Sequence, residues 1–274
     1  MEANTKVSVL MSVYIKEKPE YLEASLESIV KQTYPVDEIL LMEDGPLTEE
    51  LYAVIKKYKE NYPNVLHTYA FKKNQQLGRS LARGVELCRN ELIARMDSDD
   101  IAMPKRIAKQ VAFMNAHPEV HVSGGSIREF NDAGTTDRVK TMPKTQKEIL
   151  SYVKNRNPLN HMTVMFRKSA VLEVGNYQHF PYLEDYSLWS RMLSKGYQIR
   201  NIEDILVRAR TSMDLVRRRS GWKYFKDFAK LRKFQHELGL TTIPEYIISM
   251  AGTFVVLMQP GFIKELAYKK VLRK

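Results

Sequence analysis

Two hydrophobic periods alternate over the first hundred residues. Val7-Ser-Val-Leu-Met-Ser-Val-Tyr14 is a β-branched apolar run and predicts a first strand. A polar loop follows, and from Tyr21 to Gln32 the apolar residues at 22, 26, 29 and 30 have the spacing of one helical face. Glu38-Ile-Leu-Leu-Met42 predicts a second strand running into Glu43-Asp44-Gly45-Pro46, where the Gly-Pro pair forces a turn. A helix from Thr48 to about Glu60, a third strand at 65–70, a helix at 77–88 and a fourth strand at 91–96 continue the alternation. Such alternation argues for an α/β fold with a parallel sheet and helices on both faces. Ligands of these sheets sit beyond the carboxyl ends of the strands. That rule gathers Tyr14, Glu43 with Asp44, Asn74, and Asp97 with Asp99 on one edge.

Beyond residue 100 the pattern is less regular. A helix is predicted from Met103 to about Asn115, and strands at 120–123, 126–130 and 162–166. Residues 131–145 are polar, broken by Gly134 and Pro143, and read as a loop or hairpin tip. Tyr182 to Leu193 is helical after its first residues, with Leu188, Met192 and Leu193 on one face, and 199–207 is a last strand. Two units follow: residues 1–210 as the main domain and 211–274 as a basic, helical extension.

Composition changes this picture in two places. The single cysteine, Cys88, excludes an internal disulfide framework and a cysteine-rich zinc site, and fits a reducing compartment. The six histidines show no metal-ligand spacing. The net charge of +11 is not spread evenly: residues 208–274 hold 15 Lys and Arg against 5 Asp and Glu. A block this basic points to an anionic partner, a membrane surface or nucleic acid, against the plainer reading of a solvated face. The apolar run at 7–14 is too short for a signal peptide.

The candidate chemistry begins at Met96-Asp97-Ser98-Asp99-Asp100, three carboxylates in four positions after a buried strand. Carboxylates this close repel, and a hard divalent cation with oxygen ligands relieves them. A lone pair of this kind is more often a solvated turn, so the weight rests on its place at the sheet edge. Asp100 is either a ligand or the N-cap of the next helix, and capping is the favoured role. Arg95 reads as a surface residue on the other face of the strand. Glu184-Asp185, two carboxylates at a helix start after the apolar Phe180-Pro-Tyr-Leu183, is either an acid–base pair or a partner for the helix dipole. Trp189 fits a core position better than a sugar platform, and His161 is either an acceptor contact or structural.

Five blocks carry a resemblance: Ser8-Val-Leu-Met-Ser-Val-Tyr14, Glu43-Asp-Gly, Asn74-Gln-Gln-Leu-Gly78, Met96-Asp-Ser-Asp-Asp100 and Glu184-Asp-Tyr-Ser-Leu-Trp189. In order and spacing the chain resembles the family 2 glycosyltransferases over about residues 5–210. The resemblance implies a GT-A fold, a Rossmann-like mixed sheet flanked by helices. It implies a nucleotide-sugar donor, Mn²⁺ or Mg²⁺, and transfer with inversion. Val13, Tyr14 and the Glu43-Asp44 turn would hold base and ribose; Asn74, Gly78 and Arg79 would lie near the nucleotide. Asp97 and Ser98 would approach the ribose, and Asp99, with Asp97 close by, would hold the metal. Asp185 would be the base that takes the acceptor's proton, with Glu184 a positioning neighbour. The family often has two aspartates before the glycine. Here the first is Glu43, which leaves open whether Glu43 or Asp44 meets the base. Arg210 or Arg217 would close over the diphosphate.

The expected protein is therefore a metal-dependent glycosyltransferase adding one sugar, from a UDP-sugar, to a lipid-linked glycan acceptor in cell-surface polysaccharide synthesis. Ile243–Met258 is too short to span a bilayer and is expected to lie at the interface, beside the basic 264–274 end. That places the chain in the cytoplasm, peripheral at the membrane face, with nucleic acid not a partner. A sugar nucleotidyltransferase is the alternative, weakened by the absence of a glycine-rich loop after the first strand. A non-catalytic membrane- or nucleic-acid-binding module is a third, and it leaves both acidic pairs without a role.

Overall fold

Strand β1 (Val7–Val13) forms where the β-branched run predicts it and is buried along almost its whole length. It is flanked by β2 (Glu38–Glu43) and β4 (Leu92–Asp97), both parallel to it, and β3 (Leu66–Ala70) adds in parallel beyond β2. A strand covered on both faces needs apolar residues at consecutive positions, which is why β1, β2 and β4 read as near-continuous runs, whereas the edge strand β3 is mixed and only part-buried. Their connections are α1 (Pro19–Val30), α2 (Glu49–Asn61) and α3 (Leu77–Leu87). Helix α1 starts on a proline at its first turn and buries Leu22, Ser25, Leu26 and Ile29. Helix α2 is capped by Thr48, whose side chain accepts from the Leu51 amide, and buries Leu51, Ile55 and Tyr58. The structure, a computed structural model, describes residues 5–211 and 221–258.

The second half makes the sheet mixed. The strand order is β3-β2-β1-β4-β8-β6-β9-β5. Strand β8 (Met165–Arg167) lies antiparallel to β4, and β6 (Val120–Phe130) antiparallel to β8. Strand β9 (Gln198–Arg210) runs parallel to β6, and the short β5 (Ile101–Ala102) pairs antiparallel with β9. Strand β7 (Asp137–Lys140) folds back on β6, so the polar 131–145 segment is the tip and return of a hairpin. Two predicted strands, 120–123 and 126–130, are one continuous β6. The predicted strand at 162–166 is a 3-10 turn at His161–Thr163 followed by β8. Continuity through β6 depends on Gly124 and Gly125: a Cβ at Gly124 would sit 2.3 Å from Asn201 Oδ1, and at Gly125 2.6 Å from Leu206 Cδ1.

Helices α4 (Arg106–Ala116), α5 (Gln146–Tyr152), α6 (Lys168–Glu173) and α7 (Glu184–Ser194) complete the first compact unit, which ends at Thr211. Helix α5 opens with a full capping box, Thr145 with Glu148, inside a stretch whose polarity hides it from hydrophobic periodicity. The second unit holds α8 (Gly221–Glu237) and α9 (Ile243–Met258), which pack on each other. Among the described residues no helix is long and apolar enough to cross a membrane.

Candidate active site

Register aligns the strand ends. Val13 lies opposite Glu43, Glu43 opposite Ala70, and Ser12 opposite Asp97. The Asp44 amide donates to the Val13 carbonyl at 2.8 Å, tying the β2 turn to β1. Gly45, at φ +94°, turns the chain where a Cβ would lie 2.8 Å from the Asn74 amide nitrogen. The loop after β3 is clamped onto this turn: Asn74 Nδ2 donates to the Asp44 carbonyl at 3.2 Å, and the Gln75 amide to Asp44 Oδ1 at 2.6 Å. Burial raises the Asp44 carboxyl above its ordinary value, partly offset by the amides of Gln75 and Gln76. Glu43 instead lines a cleft of about 450 Å³ beside α2, with Tyr52, Lys56 and Lys59. Tyr14 is half-buried at the start of the next loop, and Arg79 is exposed on the first turn of α3.

The acidic loop leaves β4 at the same edge. Ligand oxygens of Asp97, Asp99 and Asp100 lie within 4.8 Å of one another. Ser98 donates from its hydroxyl to Glu17, in the loop after β1, and Ser25 Oγ donates to the Asp97 carbonyl at 2.8 Å. Burial and the neighbouring Asp97 and Glu17 push Asp99 up to about 7. Asp100, fully enclosed, is raised well above the usual carboxylate range by burial and then by Asp97 and Asp99.

Two sequence readings of this loop are corrected. Asp100 caps no helix, since α4 begins only at Arg106; its Oδ1 accepts from the Arg210 amide at 2.7 Å and pins the end of β9. Arg95 is no surface residue: it is 2% exposed and ion-paired with Asp97, because β4 is an inner strand and side chains two apart share a face. Arg210 is held by its own contacts, donating to the Asp99 carbonyl at 3.1 Å and to Asp132 and stacking on Tyr21. Arg217 lies outside the described residues.

Helix α7 brings the second acidic pair. Glu184 and Asp185 are 7% and 8% exposed at its first turn. Asn157 Nδ2 donates to Asp185 Oδ2 at 2.5 Å, and the Tyr186 amide to Asp185 Oδ1 at 2.8 Å. The start of α7 meets the start of α3 at Gly78, where a Cβ would be 3.1 Å from Glu184 Cβ and 3.2 Å from the Gln178 carbonyl. Tyr177 sits within electrostatic reach of both groups, its hydroxyl raised by burial and also influenced by Arg95, Asp185, Glu184 and Asp97. Its hydroxyl and His161 Nε2 are 2.9 Å apart, and Trp189 is in the core. The structure therefore gathers Val13, Tyr14, Glu43, Asp44, Asn74, Gly78, the Asp97–Asp100 loop and Glu184-Asp185 at one end of the sheet. Sequence reasoning missed Glu17 and Asn157. The strand-end rule covers Glu17; nothing in the 131–160 pattern marks Asn157.

A mixed sheet of this order, with helices on both sides, is the GT-A fold of nucleotide-sugar-dependent transferases. The chain belongs to glycosyl transferase family 2, whose model matches residues 8–175. It is 39% identical over 263 residues to the amylovoran biosynthesis glycosyltransferase AmsE of Erwinia amylovora, covering 96% of this chain and 98% of that one. It is 34% identical to the UDP-Gal:alpha-D-GlcNAc-diphosphoundecaprenol beta-1,3-galactosyltransferase of Escherichia coli, covering 98% and 97%. In fold it matches the mannosyltransferase PcManGT of Pyrobaculum calidifontis, solved with GDP-Man and Mn²⁺, at a TM-score of 0.62 and 13% identity, over 99% of this chain and 81% of that one.

Proposed function

We propose that this chain transfers one sugar, with inversion, from a UDP-sugar to a hydroxyl of a lipid-linked glycan in cell-surface polysaccharide synthesis. The observation that carries the reading is the meeting of two acidic groups at one sheet edge, where Asp97, Glu184 and Asp185 all lie within electrostatic reach of Tyr177. The UDP donor and lipid-diphosphate acceptor are those in the name of the Escherichia coli relative.

The residues fit a hard divalent cation, Mn²⁺ or Mg²⁺. Their donors are all carboxylate oxygens within 4.8 Å, and Asp100 Oδ2 is buried with no hydrogen-bond partner among the described residues. Asp99 is the principal ligand, with Asp97 close by. When bound, the cation supplies Lewis-acid stabilisation of the leaving diphosphate. The rest falls to the protein. Val13, Tyr14 and Glu43, which faces the cleft beside α2, hold the base and ribose; Asp44 braces the turn through Gln75. Asn74, Gly78, Arg79 and Ser98 border the nucleotide, and Asp97 approaches the ribose. The acceptor hydroxyl attacks the anomeric carbon opposite the leaving group, its C–O bond to phosphate breaks, and Asp185 takes the proton. Asn157 and the Tyr186 amide fix the Asp185 carboxylate, and Glu184 positions its neighbour.

We read residues 1–210 as the catalytic domain and 211–274 as a basic extension peripheral to the cytoplasmic membrane face. Exposed Ile243, Ile247 and Ile248 on α9, and exposed lysines such as Lys223 and Lys226 on α8, support that reading. The test is sugar transfer from UDP-sugars to a polyprenyl-diphosphate-linked acceptor with Mn²⁺. Asp185→Asn is expected to lose about 10²–10⁴-fold in kcat while retaining UDP binding; full activity in this variant refutes the base.

A further inference from the structure

We propose that Arg95 is a positioning residue: from beneath the sheet edge it holds one carboxylate oxygen of Asp97, which fixes the orientation of that carboxylate and weakens its hold on the cation relative to that of Asp99. This rests on the reading of the acidic loop as a cation site.

The geometry is specific to this arginine. Arg95 and Asp97 share a face of the inner strand β4, and Arg95 Nη2 pairs with Asp97 Oδ1. Its Nε and Nη1 are buried with no hydrogen-bond partner among the described residues. The second arginine under the loop, Arg106, is bound throughout. Its Nε donates to Gln110 Oε1 at 3.1 Å, its Nη1 contacts Met96 Sδ at 3.0 Å, and its Nη2 donates to the Arg95 carbonyl at 2.6 Å. Arg106 therefore fixes the backbone from which Arg95 projects.

Buried polar atoms are almost always paired, and a buried ion pair is often replaceable by apolar groups without loss of stability. A guanidinium enclosed with two unpaired nitrogens is poorly explained as a stabilising device. Its remaining contribution is a fixed positive charge and a directed bond to Asp97. That bond occupies one of the two Asp97 oxygens. The Arg210 amide likewise occupies Asp100 Oδ1, and Asp100 Oδ2 is buried with no hydrogen-bond partner among the described residues. The carboxylates are thus unequal before any ligand arrives: Asp97 is held by a charged guanidinium, and Asp100 by a neutral backbone amide. Holding Asp97 in one orientation also holds it ready for a ribose hydroxyl.

Removing the guanidinium then has opposite effects on two ligands. The site becomes more negative and an Asp97 oxygen is freed, so the cation binds more tightly. The ribose contact loses its fixed carboxylate, so the donor binds less well. An arginine needed only for folding would weaken both together.

The experiment uses the full chain, with Mn²⁺ alone titrated calorimetrically, donor KM and kcat measured separately, and melting followed for each variant. Arg95→Met is expected to bind Mn²⁺ about threefold or more tighter, by loss of one nearby positive charge, and to raise the donor KM about tenfold with a smaller change in kcat. Weaker Mn²⁺ binding, or an unchanged donor KM, overturns the proposal. Should Arg95→Met not fold, the comparison of Asp97→Asn with Asp99→Asn decides. The expected outcome is a loss of Mn²⁺ affinity at least about tenfold larger for Asp99→Asn, and equal losses overturn it. If the wild-type chain binds no Mn²⁺, the cation reading fails and this proposal with it; if it binds but the variants disagree as stated, only this proposal fails.

Discussion

Asp99 is the residue at which the protonation of the acidic loop meets the stability of the fold. Its carboxyl is raised to about 7 by burial and by the charges of Asp97 and Glu17. An acid with a raised folded-state pKa binds its proton more tightly folded than unfolded, so stability falls as pH rises through the window between the ordinary carboxylate value and about 7. Asp100 is shifted in the same direction. The metal-free protein should therefore melt at a higher temperature at pH 6 than at pH 8. Mn²⁺ should remove the difference, since it replaces the proton as the relief of repulsion. Asp99→Asn should flatten the profile in the absence of metal. Scanning fluorimetry with and without chelator at both pH values checks this; a variant whose profile matches wild type would assign the effect elsewhere.

At the scale of elements, the decisive contact is between the first turns of α3 and α7. A hydrogen is the largest group that fits at Gly78 without moving Glu184 or the Gln178 carbonyl. Gly78→Ala should leave the core intact, because α3 gains from the exchange in helix propensity by up to about 1 kcal/mol. It should nevertheless displace the start of α7 by a few tenths of an ångström. Positioning errors of an ångström can cost about 10²-fold in rate, so a drop in kcat of about tenfold is expected, with melting temperature unchanged or higher. A variant with wild-type kcat would show that the two acidic groups need no fixed spacing.

For the whole molecule, charge and apolar surface separate along the chain. Residues up to 207 are nearly neutral, and the basic excess lies beyond them. Within the second unit, α9 leaves Ile243, Ile247, Ile248, Phe254 and Val255 exposed, an apolar face suited to the headgroup boundary. The full-length chain should bind vesicles containing anionic lipid in low salt and bind uncharged vesicles much less. Raising salt from 50 to 500 mM should release a large part of it, because screening shortens the reach of the lysines. Co-sedimentation measures this; equal binding to both vesicle types would remove the electrostatic half of the reading.

The sequence by itself determined the parallel half of the sheet, the family and the place of both acidic groups at one end of the sheet. Local causes suffice for these: β-branched runs between turn residues, a proline and a threonine that start helices, and motif order along one strand edge. It did not reveal α5 or β7, whose short polar segments owe their form to a capping box and to pairing with β6. It misread Arg95 and Asp100, because burial of a charged side chain depends on which strands lie beside it and on where β9 returns. Nor did it mark Asn157 as the partner of Asp185, 28 residues away in sequence. Periodicity reports only a residue's relation to its near neighbours along the chain. What faces a carboxylate inside the protein is set by chain segments far apart in sequence, and only the tertiary structure brings them together.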